Sequence, residues 1–428
     1  MIKKMVLAIT FLIFLYNQML FSLSCESAFV KEERESLYFE AFAMLEDEIR
    51  ENGKLPDIHT LKDFNEIAIQ RAVDELTDKD YFFCDVDGTL ISTSSPSKPS
   101  PSKLEHESLE VLMDLFLKGK KIYFITAGSS HNSIECILAP LIEMVQELKE
   151  EEKKNKLWKA LKENFALYVY QGAKKYVFDI ETKEFKVDSE YDLNLFFDKN
   201  IENYLEEYIK NRGNLELEIT YCYFSDLAID YLNVYEKTPV VQVKISPFRI
   251  SESGNKEHLA PNELSLLIKN FQSFFDNKGI SDLKVISWGK TDFAINKSDK
   301  ESTLVHIMKE EAKKKGVPEA VIAEKSACIG DRCYSRGGKQ GDSGFVKGKT
   351  GLECFVLSVG YKDGRLLENL CKKDSPKTLW RVEGLTLENI RKRVCFAGIG
   401  NDDETYKVTW NILREVRKVL NKRVEKSS

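Results

Sequence analysis

Two carboxylates one residue apart follow directly after a short apolar run. The run is Tyr81-Phe82-Phe83-Cys84, and Asp85-Val86-Asp87-Gly88 comes immediately after it. A short apolar run bounded by a turn is typical of a buried strand. Ligands of open α/β sheets bind at the carboxyl ends of strands, and burying unpaired charge in a core is costly. The sequence therefore predicts that both acids face a crevice at a sheet edge.

The spacing of the two acids has a chemical use. Side chains alternate along a strand, so Asp85 and Asp87 point the same way until the chain turns. One carboxylate can attack an electrophile while its neighbour transfers a proton. Two carboxylates can also hold Mg²⁺, which prefers oxygen ligands and joins carboxylates to a substrate phosphate. The pair thus indicates covalent chemistry at a carboxylate, a magnesium site, or both.

The Asp-x-Asp segment resembles the first signature of the haloacid dehalogenase superfamily, and three later segments resemble the remaining signatures in the right order. The second is a strand-like run that ends in Thr126-Ala127-Gly128. The third is 298–301, which contains Lys300, and the fourth is an apolar run that ends in Gly330-Asp331, followed by the glycine-rich 337–342. The resemblance covers roughly 80–359, and its core motifs are more specific than the part between them.

The third segment also carries a local signal of its own. Ser298 and Glu301 have the spacing of a capping box, which predicts that Lys300 lies in the first turn of a helix. A cation there opposes the helix dipole. Backbone N–H groups and an ammonium together nevertheless make a strong phosphate site. A local rule broken in this way indicates function.

The resemblance implies four catalytic residues. Asp85 would attack phosphorus and form an aspartyl phosphate, and Asp87 would protonate the leaving oxygen and then activate water. Thr126 and Lys300 would stabilise the oxygens of the transferring phosphoryl group. This would be catalysis by positioning, charge stabilisation and a covalent intermediate.

The resemblance also implies Mg²⁺ as the cofactor. Its ligands would be Asp85, the main-chain carbonyl of Asp87, Asp331 and Asp342. The gap between the last two acids is longer than in relatives, and Gly341 stands where an asparagine is usual. A later apolar run also ends in acids, which makes Asp402 a second candidate for the metal.

The expected fold class is α/β. The resemblance implies a Rossmann-like core with a mostly parallel sheet and an inserted α+β cap, and the sequence adds an N-terminal helical segment. The predicted division begins with a signal peptide or membrane anchor at 1–24 and an N-terminal helical segment at 29–80. The first part of the core follows at 81–180, the cap at 181–289, and the second part of the core with C-terminal helices at 290–428.

The predicted cap has three strand patterns, 215–223, 228–235 and 240–245, and two helical patterns, 193–210 and 261–278. Lys244 and Arg249 either reach a substrate or are solvated. The Ser- and Pro-rich segment 92–102 is a loop by composition, either a flap over the site or a surface linker.

Composition and the N-terminus bear on partners and location. A net charge of −6 and a pI near 5.7 give no basic footprint for nucleic acid.

Two lysines, an apolar run at 5–16 and small residues at 22–24 form a signal-peptide pattern, and the same stretch would also serve as an uncleaved anchor. Nine cysteines, an odd number, are typical of buried thiols and favour the cytoplasmic alternative. The prediction is an exported or membrane-associated protein.

These observations predict a Mg²⁺-dependent phosphatase that acts on a small phosphorylated metabolite, with a sugar phosphate favoured. Two alternatives stay open. A phosphomutase on hexose phosphates would use the same groups, and a catalytically weak protein of this fold would only bind its ligand.

Overall fold

Two β-sheets organise the chain. The structure is a computed structural model, and it describes residues 28–92, 102–128, 133–188, 190–191, 197, 200–210, 215–223, 240–251, 253–280, 282–288, 291–331, 333, 344–345, 354–360, 393–399 and 405–427. The larger sheet has eight strands and the smaller has five. The larger sheet forms the core that carries the motifs, and the smaller one belongs to the segment between the second and third motifs.

The core sheet is mostly parallel. Its strands are β1 (Tyr81–Cys84), β2 (Lys121–Ile125), β3 (Phe165–Val169), β4 (Lys174–Asp179), β5 (Glu184–Val187), β11 (Ser326–Gly330), β12 (Phe355–Val359) and β13 (Val394–Ala397). Their order in the sheet is β13-β12-β11-β1-β2-β3-β4-β5, and only the pairs β3–β4 and β4–β5 are antiparallel. Every residue of the central strand β1 is buried, as expected for an apolar strand covered on both faces.

Helices cover this sheet. They are α1 (Ala28–Asn52), α2 (Ile58–Thr77), α3 (His106–Leu117), α4 (Ala139–Glu147), α5 (Glu151–Asn164), α8 (Lys300–Lys315), α9 (Glu319–Glu324) and α10 (Thr405–Ser427), with a π-helical turn at Ile134–Leu138. Local signals set their ends. The Asp57 carboxylate accepts hydrogen bonds from His59 N and Thr60 N and so caps α2. Gly316, with φ +65°, ends α8 in the left-handed conformation that glycine adopts easily.

The predicted N-terminal helical segment packs on the last strand of the core. The ring of Phe42 on α1 stacks on Phe396 of β13, with centroids 5.9 Å apart. The buried Arg71 on α2 donates to the carbonyl of Val394 at 3.0 Å, and its guanidinium lies over the ring of Tyr38. The two ends of the described chain therefore share one hydrophobic core with the motif-bearing sheet.

The smaller sheet is antiparallel and packs on two helices. Its strands are β6 (Leu215–Tyr223), β7 (Val240–Ile250), β8 (Lys256–His258), β9 (Lys284–Trp288) and β10 (Asp292–Asn296), and the helices are α6 (Ile201–Lys210) and α7 (Pro261–Asn277). The strand order is β6-β7-β10-β9, with β8 paired to β7. Val243, Ile245 and Phe293 pack with these helices in a separate hydrophobic cluster. Because side chains alternate, the other face carries Gln242, Lys244 and other polar residues.

The predicted fold class is confirmed: the core is α/β with a mostly parallel sheet, and an α+β unit interrupts it. The second sheet extends to Asn296 in β10, beyond residue 289, where the sequence-based division ends the cap. That division otherwise stays a prediction. The predicted strand 228–235 and the N-terminal segment 1–24 lie outside the described residues. Among the described helices, none combines the length and apolar character that crossing a membrane requires.

Candidate active site

The four motif segments meet at the carboxyl edge of the core sheet. Strand β1 pairs in parallel with β11 on one side and β2 on the other, with Cys84 in register with Ile329 and Phe124. The register continues one residue further, since Asp85 N donates to Ile329 O at 2.9 Å. Asp85 and Asp331 therefore leave adjacent strands at the same edge. Both are nearly inaccessible, with exposures of 5% and 3%.

Lys300 forms an ion pair with Asp85. The two residues are 215 positions apart in the chain, yet the Lys300 ammonium donates directly to one carboxylate oxygen of Asp85. Thr89 Oγ1 donates to the other oxygen at 3.2 Å. The buried ring of Phe345 lies 5.3 Å from Lys300 Nζ and forms an apolar wall beside it. Buried charges need such pairing, and the pair places a cation against the proposed nucleophile.

The helix that carries Lys300 begins one residue later than predicted. Asp299, not Ser298, is the N-cap: its carboxylate accepts from Ser302 N at 2.8 Å, and Ser302 Oγ accepts from Asp299 N at 3.0 Å. The predicted capping box between Ser298 and Glu301 is therefore wrong. Its consequence holds, because Lys300 is the first residue of α8.

Asp87 is held by the second motif. Thr126 Oγ1 donates to Asp87 Oδ2 at 3.1 Å, and the same hydroxyl accepts from Gly128 N at 2.8 Å. A Cβ at Gly128 would lie 3.1 Å from Thr126 Oγ1 and 3.4 Å from Asp87 Oδ2. The glycine thus leaves room for this hydrogen-bonded pair.

A left-handed turn at Tyr170–Gly172 connects the second motif to α8. Tyr170 and Gln171 have φ values of 53° and 60°, which side-chain-bearing residues adopt at a cost. Gln171 N donates to Thr126 O at 2.8 Å, and Thr303 Oγ1 on α8 donates to Gln171 O at 3.0 Å. A Cβ at Gly172 would lie 1.8 Å from Thr303 Oγ1. The turn therefore fixes the distance between Thr126 and the first turns of α8.

The pKa shifts at this edge have clear causes. Burial first, and the negative charge of Asp85 second, raise the pKa of Cys84, so its thiol stays neutral at physiological pH. Burial also favours the neutral form of Asp299, but the ammonium of Lys284 at 2.7 Å and the hydrogen bonds from Ser302 outweigh burial and lower the pKa of Asp299. The neutral Cys84 thiol is therefore not a competing nucleophile beside Asp85.

The described donors fit a magnesium ion. No group of three or more His, Cys, Asp or Glu side chains within the described ranges is arranged to hold a metal. Mg²⁺, however, is commonly bound by one or two carboxylates, with waters and substrate phosphate completing its shell. The buried acids Asp85 and Asp331, with the carbonyl of Asp87, supply such a set. The other two predicted metal candidates, Asp342 and Asp402, lie outside the described residues.

The other predicted substrate-contacting residues and the predicted loop have different surroundings in the structure. Arg249 is exposed and forms an ion pair with Glu263, so it is occupied at the surface of the inserted unit. Lys244 is half-buried on the polar face of β7, and burial lowers its pKa. The predicted loop 92–102 is closed at its ends, where Ser92 N donates to Ser102 Oγ at 3.0 Å. Whether it covers the site stays a prediction, because 93–101 lie outside the described residues.

Sequence reasoning missed three residues that hold the site. Thr89 lies in the first motif itself, where its hydroxyl was a readable signal beside two acids. Gln171 and Thr303 gave no signal, because their contact depends on a left-handed backbone and on the packing of α8 against the end of β3. Only the folded chain brings them together.

Comparisons with known proteins give distant structural similarities. No family model and no curated protein matches the chain. The structure is similar to an IMP-bound mutant form of Plasmodium falciparum IMP-nucleotidase, with 13% identity, a TM-score of 0.47, and coverage of 89% of this chain and 78% of that one. The C-terminally truncated form of the same nucleotidase is 12% identical, with a TM-score of 0.46 and coverage of 85% of this chain and 78% of that one. TM0651 from Thermotoga maritima is 14% identical, with a TM-score of 0.38 and coverage of 78% of this chain and 97% of that one.

The topology of the chain itself bears on the predicted fold independently of these similarities. The core is mostly parallel, an α+β unit lies between the second and third motif segments, and the segments meet at one edge with Lys300 on Asp85. This topology and this arrangement of the motif segments agree with the fold that the resemblance to the haloacid dehalogenase superfamily implies.

Proposed function

We propose that the protein is a phosphatase that hydrolyses a small phosphorylated metabolite through an aspartyl phosphate on Asp85. One observation carries the proposal: a buried lysine at a helix N-terminus donates to the carboxylate of Asp85, at the edge where Thr126 holds Asp87. A helix N-terminus with an ammonium favours an anion, and an in-line attack needs a nucleophile beside it.

The chain's own residues account for both steps. In the first, an oxygen of Asp85 forms a bond to phosphorus while the bond to the leaving oxygen breaks, and Asp87 gives that oxygen a proton. In the second, Asp87 takes a proton from water, the water oxygen bonds to phosphorus, and the Asp85–phosphorus bond breaks. Lys300 and Thr126 stabilise the phosphoryl oxygens throughout.

Mg²⁺ belongs to the same proposal. Asp85, Asp331 and the carbonyl of Asp87 would hold it, and when bound it would neutralise charge on the phosphoryl group. Phe345, which is fully buried beside Lys300, would keep water away from the ammonium. Electrostatic interactions are stronger in such a dry site.

For the substrate, we propose a sugar phosphate. The inserted sheet has one apolar face against α6 and α7 and one polar face with Lys244 and the buried pair Gln242 and Asn296, whose amides lie 2.9 Å apart. The chain runs from Asn296 directly into Lys300. Hydrogen-bonding side chains on this face would suit a hydroxyl-rich leaving group better than an apolar one.

The test is phosphate release from a panel of sugar phosphates, nucleoside monophosphates and an aryl phosphate, with Mg²⁺ and with chelator. Asp85→Asn is expected to abolish release. Asp80→Asn is its matched control, because Asp80 precedes the same strand at the opposite edge and its side chain is half exposed. Equal rates for wild type and Asp85→Asn would contradict the proposed nucleophile. Isomerised sugar phosphate instead of free phosphate would identify a mutase.

A further inference from the structure

The turn that carries Asp87 is closed on its inner side by its own backbone. Val86 O accepts hydrogen bonds from Leu90 N at 2.9 Å and from Ile91 N at 3.1 Å, and Gly88 N donates to Ile91 O at 2.8 Å. Gly88 has a φ of +85°, so it is a position of high backbone freedom. Two carbonyls of the turn, those of Gly88 and Leu90, point away from this internal network.

Both carbonyls are bound by the C-terminal helix. Thr405 Oγ1, at the start of α10, donates to Gly88 O at 2.5 Å, and Trp410 Nε1 donates to Leu90 O at 2.7 Å. These donors are 317 and 320 positions away from the turn in sequence. One helix thus binds the turn on each side of Thr89, whose hydroxyl donates to Asp85.

Two ion pairs join this helix to α3. Arg417 Nε lies 2.5 Å from Asp114 Oδ2, and Arg414 Nε lies 2.9 Å from Glu107 Oε1, which ties α10 to α3. Thr405 packs against Gly360, where a Cβ would lie 2.1 Å from Thr405 Cγ2. Glycine at 360, which has no Cβ, therefore leaves the space that Thr405 occupies beside the turn.

We propose that Thr405 is a positioning residue for Asp87, with Trp410 supporting it, so that α10 sets the geometry of the water-activating step. The inference depends on the phosphatase function proposed above. The hydrogen bond to Gly88 O fixes the peptide that links Gly88 to Thr89. Without it, the free backbone at Gly88 would let the turn reorient, and Asp87 would lose its alignment with Thr126 Oγ1.

The two chemical steps depend differently on Asp87, so kinetics that separate the steps can test its alignment. With p-nitrophenyl phosphate, nitrophenolate departs without needing a proton, so transfer of the phosphoryl group to Asp85 depends little on Asp87. Hydrolysis of the aspartyl phosphate still requires Asp87 to take a proton from water. A displaced Asp87 therefore slows the second step alone, and nitrophenolate appears in a burst before a slow steady state.

The experiment compares Thr405→Val, which removes the donor at constant shape, with Thr405→Ser, which keeps it. Rapid mixing with p-nitrophenyl phosphate measures the burst and the steady state. Thr405→Val is expected to lower the steady-state kcat about tenfold or more, with a burst of one nitrophenolate per site and a lower KM. Thr405→Ser should stay within about threefold of wild type.

Thr409→Val is the matched control. Thr409 lies on the same helix, is fully buried, and its Oγ1 has no hydrogen-bond partner among the described residues, so this variant should keep wild-type kinetics. Unchanged kinetics in Thr405→Val, or an equal loss of burst rate and steady-state rate, would refute the positioning role. If Thr405→Val does not fold, Trp410→Phe must show the same burst pattern, and its absence refutes the inference.

Failure of the function itself gives a different result. If wild type releases nitrophenolate no faster than Asp85→Asn, the phosphatase proposal is refuted and the role of Thr405 falls with it. If wild type turns over and only the Thr405 pattern is missing, the function stands without this inference.

Discussion

Replacing Gly172 with alanine tests the connection between the second motif and the helix that carries Lys300. The added Cβ would lie 1.8 Å from Thr303 Oγ1 and 2.7 Å from Thr303 Cβ, and Gly172 has a φ of +94°. The left-handed backbone costs about 1–2 kcal/mol for a residue with a Cβ. Overpacking adds about 1–3 kcal/mol, and loss of the Thr303 hydrogen bond to Gln171 O adds about 0.5–1.5 kcal/mol.

The expected loss of unfolding free energy for Gly172→Ala is therefore about 2.5–6.5 kcal/mol. Urea unfolding followed by circular dichroism measures it. Gly119→Ala is the matched control, because Gly119 has a φ of +74° with nothing within 4 Å of its Cβ position, and it should lose only about 1–2 kcal/mol. The difference between the two variants isolates the overlap with Thr303.

Activity and a double mutant complete this test. In the folded fraction of Gly172→Ala, p-nitrophenyl phosphate hydrolysis should fall about tenfold or more, because α8 must shift to relieve the overlap and Lys300 shifts with it. Gly172→Ala with Thr303→Ala should lose less stability than the sum of the single variants, since Oγ1 and Cγ2 of residue 303 are gone and only its Cβ at 2.7 Å still overlaps. If Gly172→Ala costs no more than Gly119→Ala, Thr303 does not pack against this turn.

Three further outcomes follow from the site. Lys300→Met should lose at least about a hundredfold in kcat, whereas Lys309→Met, on the exposed side of the same helix, should keep activity. Asp331→Asn should raise the Mg²⁺ concentration for half-maximal activity about tenfold or more, and an unchanged requirement would remove Asp331 from the metal site. For Asp299, the folded pKa lies below its ordinary 3.8, so its stabilisation is present above that pH and is lost as the pH falls through the folded pKa. Asp299→Ala should lose about 1–2 kcal/mol of unfolding free energy near pH 7, and Asp299→Asn less, because asparagine still caps the helix. The urea midpoints of variant and wild type should converge in acid. A difference that stays constant with pH would contradict the contribution of the Asp299 charge.

The sequence predicted the elements well where local patterns decide them. The strands that end at Asp85, Thr126 and Asp331 are present with nearly the expected bounds, because short apolar runs before turns carry a strong signal. The cap position of α8 was off by one residue, since Ser298 and Asp299 are both good caps and only the folded contact with Lys284 distinguishes them.

Long-range contacts were not readable in the same way. The order of β11 between β12 and β1 depends on pairing between distant segments, and no local pattern encodes it. The left-handed Tyr170 and Gln171 could not be predicted, because neither residue type favours that backbone. The contact of Thr405 with Gly88 likewise depends on where α10 docks.

The position of α10 has a consequence for biosynthesis. Ribosomes make the chain from its N-terminus at about 5–20 residues per second, so Asp87 leaves the ribosome long before Thr405 and Trp410 exist. During that interval β1 also lacks β11, its partner on one side, and pairing over such separations is slow. A chain that stops before α10 carries all four motif segments without the hydrogen bonds to Gly88 and Leu90. With the role proposed for Thr405, such a chain would hydrolyse the aspartyl phosphate more slowly until α10 docks on the turn.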